Sequence, residues 1–365
     1  MSRARKIMRL PAPLRMYRGG VLPQAEMAYE TWGERRGDNV VAIFTGLSPD
    51  AHAASSAAEP EPGWWEAMVG PGKAIDTNRF HVICFNSIGS CFGSTGPASV
   101  NPATGERWAL DFPVLSIEDT ASAAAMVLDG LGIERLKAAI GPSMGGMSAL
   151  AFALEYPERV AHLVSISSAM AAEPYAIAVR SLQRELIRSD AAWRDGRYAP
   201  DAQPVAGMQL ARKLGMTTYR SAEEWRERFA RKRVGGEWQG HPAFPIEFEI
   251  EAYLQATADK FVGDFDANCY QYLSRAMDLF DAAAHGDGDA ARAFAKLALE
   301  SALVIGVETD ALFPVHQQLE LANALRKTGA SVRFERLPSI QGHDAFLVDM
   351  DRFVPIVGEY LDALA

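Results

Sequence analysis

Residues 138–150 read AAIGPSMGGMSAL, and the rest of the chain is organised around them. The apolar run 136–140 reads as a buried strand. It stops at Gly141-Pro142-Ser143-Met144-Gly145-Gly146, and a segment of small residues with helical character follows. In a strand–sharp turn–helix context, G-x-S-x-G holds a serine at the tip of a strained turn. The glycines permit that turn and let the helix pack close, so the Ser143 hydroxyl stands clear of the sheet at a helix N-terminus. A plain glycine-rich turn with Ser143 as a cap would read the same way; the partners downstream decide between them.

Outward from this turn the chain alternates between strands and helices. Residues 1–36 read as an N-terminal extension with short strands, 27–34 among them. Residues 39–44 (NVVAIF) and 81–85 (HVICF) are continuous apolar runs, hence strands buried on both faces. The second runs into a glycine-rich loop over 86–108, long enough to need a functional reason. Helical spacing over 116–131 closes at Gly130 and Gly132, and 159–167 is the next strand. From about 172 to 296 the rhythm changes to helical, strand-poor sequence, read as a cap inserted after the sixth strand. Alternation resumes with strand 301–307, helix 315–328, strand 331–337 and a last helix near 351–364. This predicts an α/β class chain with a mostly parallel sheet covered on both faces, 1–171 and 297–365 forming the core and 172–296 the helical cap.

The composition narrows the function classes. The 365 residues are 48% hydrophobic and 22% charged, ordinary for a globular protein of one core plus an insertion. A net charge of −10 argues against nucleic acid or an anionic membrane as partner. Three cysteines (Cys84, Cys91, Cys269) make no disulfide framework and no metal spacing, so no metal is expected. The basic start MSRARKIMRLPAPLRM lacks a continuous apolar stretch, and no 18-residue apolar run occurs; a cytoplasmic location is expected.

Two later residues complete a pattern with Ser143. Asp310 follows the strand 301–307 in VETDALFP, and His343 follows the strand 331–337 in SIQGHDAF. Both lie at carboxyl ends of strands, in the order serine, acid, histidine that goes with a G-x-S-x-G turn in the α/β-hydrolase fold. Thr309 cannot serve as the acid. Asp344 can ionise, but a residue adjacent to the histidine cannot easily orient its ring from behind. An oxyanion hole would combine the backbone N–H of Met144 with that of Leu47 in the Gly46–Leu47 turn, although Gly46 also suits a simple change of chain direction.

GPSMGGMSAL, NSIGSCFGSTGPASVNPATG, LDFPVLSIED, MQLARKLGMTTYRSAEEW, YLSRAMDLFD, TDALFPVHQQLELA and QGHDAFLV together resemble the homoserine O-acetyltransferase family of α/β-hydrolase-fold acyltransferases. The likeness spans nearly the whole chain, cap included. It implies Ser143 as nucleophile, Asp310 and His343 as its relay, and Arg212, Asp344 and Tyr219 as ligands of an amino-acid substrate. A cap arginine can take the substrate carboxylate bidentately, and a carboxylate beside the histidine can take the ammonium. It also implies a homodimer joined through the cap.

The departures point to a subgroup. Where acetyltransferases of the family read close to L-T-G-x-x-H, this chain has Gly46-Leu47-Ser48-Pro49-Asp50-Ala51-His52. Where they carry an asparagine in the first cap helix, AVRSLQRELI has Arg180. With GWWEAMVGPGKAIDT (63–77), these features resemble serine O-succinyltransferases. A succinyl group ends in a carboxylate, so its pocket wants a fixed cation. Arg180, with Ser48 and Pro49, is the candidate; a surface ion pair with Glu185 or Glu173 is the other reading of that arginine.

The expected function is therefore transfer of succinyl from succinyl-CoA, a co-substrate and not a bound cofactor, to L-serine. Homoserine acyl transfer, hydrolysis of small esters or thioesters, and a non-catalytic binding protein are the alternatives. Trp64 and Trp65 read as packing, His52 as a hydrogen-bonded structural residue, and Cys91 as a thiol with no neighbour to activate it. The run Arg226, Arg228, Arg231, Lys232, Arg233 reads as a solvated face, with coenzyme A phosphates as the other possibility.

Overall fold

Eight strands, largely apolar in the middle of the sheet and mixed with charged residues at its edges, pair into one sheet in the computed structural model, which describes residues 2–235 and 243–364. In chain order they are β1 (Lys6–Arg9), β2 (Glu26–Trp32), β3 (Val40–Phe44), β4 (His81–Phe85), β5 (Leu136–Pro142), β6 (Val160–Ile166), β7 (Ser301–Val307) and β8 (Ser331–Leu337). Across the sheet they run β1-β2-β4-β3-β5-β6-β7-β8. The pairings from β4 to β8 are parallel; β2 is antiparallel to both β1 and β4. Two short two-stranded pairs, Leu14–Arg15 with Val21–Leu22 and Val69–Gly70 with Ile75–Asp76, lie outside it.

The continuous apolar strands are continuous because both faces are covered. In β3, Val40, Ala42 and Phe44 face one cluster, while Val41 and Ile43 face another. The first cluster takes in α1 (Ile117–Gly130), α2 (Met144–Glu155) and cap residues; the second takes in Phe353, Val357 and Leu361, which lie on the last helix (Met350–Asp362). α2 is buried from Met144 to Leu154, as a helix without a polar face must be. Each large apolar side chain so buried contributes about 1.5–3 kcal/mol. At the start of α1 the Ser116 N–H donates to the Asp119 carboxylate (2.7 Å), which fixes where that helix begins.

Between β6 and β7, the sixth and seventh strands of the sheet, the described residues form six α-helices: α3 (Pro174–Ser189), α4 (Val205–Tyr219), α5 (Ala222–Arg228), α6 (Glu249–Asp264), α7 (Ala267–Leu279) and α8 (Ala290–Phe294). They fall in the stretch read as a cap; residues 236–242 of it lie outside the described residues. Two glycines on α4 set how near α3 comes. A Cβ at Gly207 would lie 2.7 Å from the Leu186 carbonyl oxygen, and one at Gly215 would lie 2.5 Å from the Gln183 amide nitrogen. This close approach brings Arg180 of α3 and Arg212 of α4 to the same cavity.

The loop 86–108 departs from its expectation. Most of it is tied into the sheet edge rather than kept for function. The Ser94 hydroxyl donates to the Asn86 carbonyl (2.7 Å) and accepts from the Ala28 N–H (3.0 Å), and the Gly89 N–H donates to the Thr95 carbonyl (2.8 Å). Only Cys91 and Phe92 of this loop reach a cavity beside the site described next.

Candidate active site

β5 ends in a turn that only its own sequence tolerates. A Cβ at Gly141 would lie 2.0 Å from the Gly145 carbonyl oxygen, and one at Gly145 would lie 2.0 Å from that of Phe44. Between them Ser143 adopts φ 55°, ψ −126°, a conformation costly for any residue with a side chain. Its own N–H is held by the Ile166 carbonyl (2.9 Å). Ser143 makes no side-chain cap bond to α2, so its hydroxyl is left for another partner.

That partner is His343. Its Nε2 lies 2.8 Å from the Ser143 Oγ, and its Nδ1 lies 2.8 Å from Asp310 Oδ2. The carboxylate can only accept, so Nδ1 carries the proton and Nε2 is free to accept the serine's. The other oxygen of Asp310 takes the N–H groups of Leu312 (2.9 Å) and Phe313 (2.8 Å). Phe313 stacks on the imidazole (5.3 Å between centroids) and Phe346 meets it edge-on (5.6 Å), fixing the ring plane. Burial pushes the His343 pKa down, but the charge and hydrogen bond of Asp310, aided by Asp344, outweigh it and hold the net value above the ordinary histidine range. Arg180 is near enough that its charge opposes that rise.

A cavity of about 130 Å³ opens over Ser143, and its wall gathers residues from the turn after β3, the cap and the loop after β8. Leu47, Ser48, Pro49, Arg180, Arg212, Tyr219 and Asp344 all line it. Among the described residues the Leu47 N–H has no acceptor. The Met144 N–H is one of the donors that the first turn of any helix leaves over. Neither N–H is claimed within its own turn.

Arg212 and Tyr219 are two turns apart on α4, hence on one face. The Arg212 guanidinium lies over Phe261 (4.5 Å) and Tyr219 (5.4 Å), and no carboxylate among the described residues pairs with it. Asp344 does not touch the far side of the imidazole. It faces Arg220, whose Nε lies 3.3 Å from its Oδ2, and burial raises its pKa against the pull of that arginine. Arg220 was not foreseen; its only signal is its position beside Tyr219 in TTYRS.

Arg180 is 4% exposed and is no surface residue. Its Nε donates to Asp278 Oδ1 (2.6 Å), while both terminal nitrogens are buried without a hydrogen-bond partner among the described residues. The alternative partners are elsewhere: Glu173 pairs with His316, and Glu185 is exposed.

Of the remaining readings, those of Trp65 and His52 hold, and those of Trp64 and Cys91 change. A second cavity of about 750 Å³ shares Ser48, Pro49, Trp64 and Arg212 with the first, so Trp64 lines both. Trp65 is core, its indole N–H donating to the Phe346 carbonyl (2.9 Å). Cys91 does have neighbours: the Asp266 N–H donates to its sulfur (3.4 Å), and Cys269 lowers its pKa by hydrogen bonding. His52 bridges Glu30 (2.9 Å) and the Glu61 carbonyl (2.8 Å). In the basic run, Arg226, Arg228 and Arg233 pair with Glu223, Glu224 and Glu247, and Arg231 lies over Phe248. Among the described residues no group of three or more His, Cys, Asp or Glu could hold a metal, and no helix is long and apolar enough to cross a membrane.

The sequence matches the family described as alpha/beta hydrolase fold over residues 53–349. It is 55% identical over 363 residues to the serine O-succinyltransferase of Litchfieldella anticariensis, covering 99% of each chain. It is 56% identical to that of Stenotrophomonas maltophilia, covering 97% of this chain and 96% of the relative. Among solved structures, homoserine O-acetyltransferase from Bacillus anthracis superposes with a TM-score of 0.89 at 29% identity, over 98% of this chain and 97% of the other. Esterase E22 superposes with a TM-score of 0.87 at 26% identity, over 98% and 99%.

Proposed function

The chain belongs to the α/β-hydrolase family, and we propose that within it the protein is a serine O-succinyltransferase acting through an acyl-enzyme on Ser143. His343 Nε2 takes the Ser143 proton as Oγ attacks the thioester carbonyl of succinyl-CoA. The N–H groups of Leu47 and Met144 hold the oxyanion. On collapse the C–S bond breaks, and the coenzyme A thiolate leaves with the proton from His343. The 750 Å³ cavity beside the site has the room for the donor's arm. L-serine then binds, its carboxylate at Arg212 beside Tyr219 and its ammonium at Asp344. Its hydroxyl gives its proton to His343 and attacks the acyl carbonyl; O-succinyl-L-serine leaves, and the proton returns to Ser143 Oγ. The product carries a good leaving group where sulfur would replace oxygen in cysteine synthesis. No metal or bound cofactor takes part in these steps.

The observation that carries the reading is Arg180. A buried guanidinium with two unpartnered nitrogens on the acyl cavity is costly unless an anion meets it. The free carboxylate of a succinyl group would make two charge-assisted hydrogen bonds there, each worth roughly 1.5–3 kcal/mol. An acetyl group has nothing to offer. Assays of the purified protein with succinyl- or acetyl-CoA against L-serine or L-homoserine test the whole reading, and succinyl-CoA with L-serine is the expected best pair. Homoserine is the nearer rival acceptor, since one methylene is worth only about 1–3 kcal/mol. In the Arg180→Asn variant, kcat/KM for succinyl-CoA falls by about one to three orders of magnitude, already in acylation before serine is added, with acetyl-CoA spared. Loss of both donors together would make the arginine structural.

The same reading includes a homodimer joined through the cap. α3 leaves Tyr175 and Leu182 more than half exposed, and Leu110 and Val114 stand exposed beyond it. Light scattering at micromolar concentration is expected to give twice the chain mass; a monomer there would reject the dimer.

A further inference from the structure

We propose that Asp278 is a positioning residue for the acyl donor. It grips Arg180 by one edge, so that the terminal nitrogens face the acyl cavity, and Arg184 holds it in that grip. The proposal rests on the reading of Arg180 as the seat of the succinyl carboxylate.

α3 and α7 meet in a polar ladder, which Arg188 extends by donating to Gln271 Oε1 (3.3 Å). Arg180 and Arg184 are one turn apart on α3; Ser274 and Asp278 are one turn apart on α7. Asp278 Oδ1 accepts from Arg180 Nε (2.6 Å) and Oδ2 accepts from an Arg184 terminal nitrogen (2.6 Å). The second terminal nitrogen of Arg184 donates to Ser274 Oγ (2.9 Å). The side chains of Asp278, Arg180 and Arg184 are 1%, 4% and 7% exposed. Two buried guanidiniums thus share one buried carboxylate, and one positive charge is left over. It is left where Arg180 presents its two unpartnered nitrogens.

A carboxylate with a single arginine to neutralise prefers the two-pronged contact. Asp278 is denied that contact because Arg184 claims its second oxygen. Arg184 therefore keeps the carboxylate from swinging onto the terminal nitrogens of Arg180 and silencing them. The arrangement turns a flexible cation into a fixed one at a set depth, the preorganisation that discriminates an acyl chain ending in a carboxylate from one ending in a methyl.

The test uses two variants of the full chain, read by kcat/KM for succinyl-CoA and acetyl-CoA with L-serine as acceptor. Asp278→Asn releases Arg180, and the succinyl-to-acetyl ratio falls about 10- to 100-fold while KM for L-serine holds. Arg184→Gln leaves Arg180 and Asp278 as a balanced pair and frees Asp278 to take the terminal nitrogens, so the ratio falls by a similar factor although no residue of the cavity has changed. A folded variant of either kind with the wild-type ratio overturns the proposal. So does an equal loss with both donors, which a merely structural role would give. An Arg184→Gln chain that does not fold overturns it too, because the proposal makes Arg184 dispensable for the fold. If the wild type shows no preference for succinyl-CoA, the functional reading itself fails. If the preference is present and lost in Arg180→Asn but kept in these two variants, only the role of Asp278 fails.

Discussion

Ser143→Ala abolishes acyl transfer, lowering turnover by on the order of 10³-fold or more, and leaves the fold unchanged. The fold is spared for reasons visible at the turn. Ser143 gives α2 no side-chain cap bond, so the truncation forfeits none of the usual capping energy. The strained φ of 55° is imposed by the backbone around Gly141 and Gly145 and costs alanine about what it costs serine. The bond that is lost runs only to His343 (2.8 Å). Mixed with succinyl-CoA alone, the wild type is expected to show a succinyl adduct on the peptide holding Ser143 by mass spectrometry, and the variant none. A stable adduct at another residue, or substantial turnover by the alanine variant, would sink the covalent route.

What could be read from the sequence was what neighbours in sequence decide. HVICF became a strand over the residues expected and NVVAIF within one residue, because continuous apolar runs have no other way to bury both faces, while SVRFERL pairs over the residues expected as the half-exposed strand at the edge of the sheet. Ser143, Asp310 and His343 were legible because each follows its own strand, and parallel strands bring their carboxyl ends to one rim. Contacts between cap helices were not legible. Arg180 and Asp278 are 98 residues apart, and only the approach of α3 to α7 joins them. The sequence alone offers Arg180 two settings, a cation for the acyl carboxylate or a surface ion pair with Glu185 or Glu173, and the structure pairs it with neither glutamate. Arg220 on Asp344 and Cys269 beside Cys91 were missed for the same reason: nothing local marks a partner supplied by packing. The glycine-rich loop misled in the other direction, since its small and hydroxylated residues stitch backbone to backbone instead of lining the site.

Asp310→Asn is expected to cost about 10²–10⁴-fold in turnover with little change in KM for the acyl donor. The geometry says how. Oδ1 accepts two backbone N–H groups, those of Leu312 and Phe313, and an amide can satisfy them only with its oxygen. Its NH₂ is then turned toward His343 Nδ1. The ring must accept there, so its proton moves to Nε2 and faces the Ser143 hydroxyl, where a proton acceptor is needed. The pH profile separates this from simple damage. Acylation needs neutral His343, so the raised pKa puts the acid limb of the wild-type profile above the ordinary histidine value of about 6.5. Without the charge of Asp310, burial and Arg180 pull that pKa down, and the limb moves to lower pH even as the plateau collapses. Asp344→Asn removes a charge that ranks below Asp310 in raising His343, so its limb moves the same way but less. Its main effect is expected on KM for the amino-acid acceptor. A turnover loss of that size in Asp344→Asn, with Asp310→Asn mild, would show that the two acids have each other's roles.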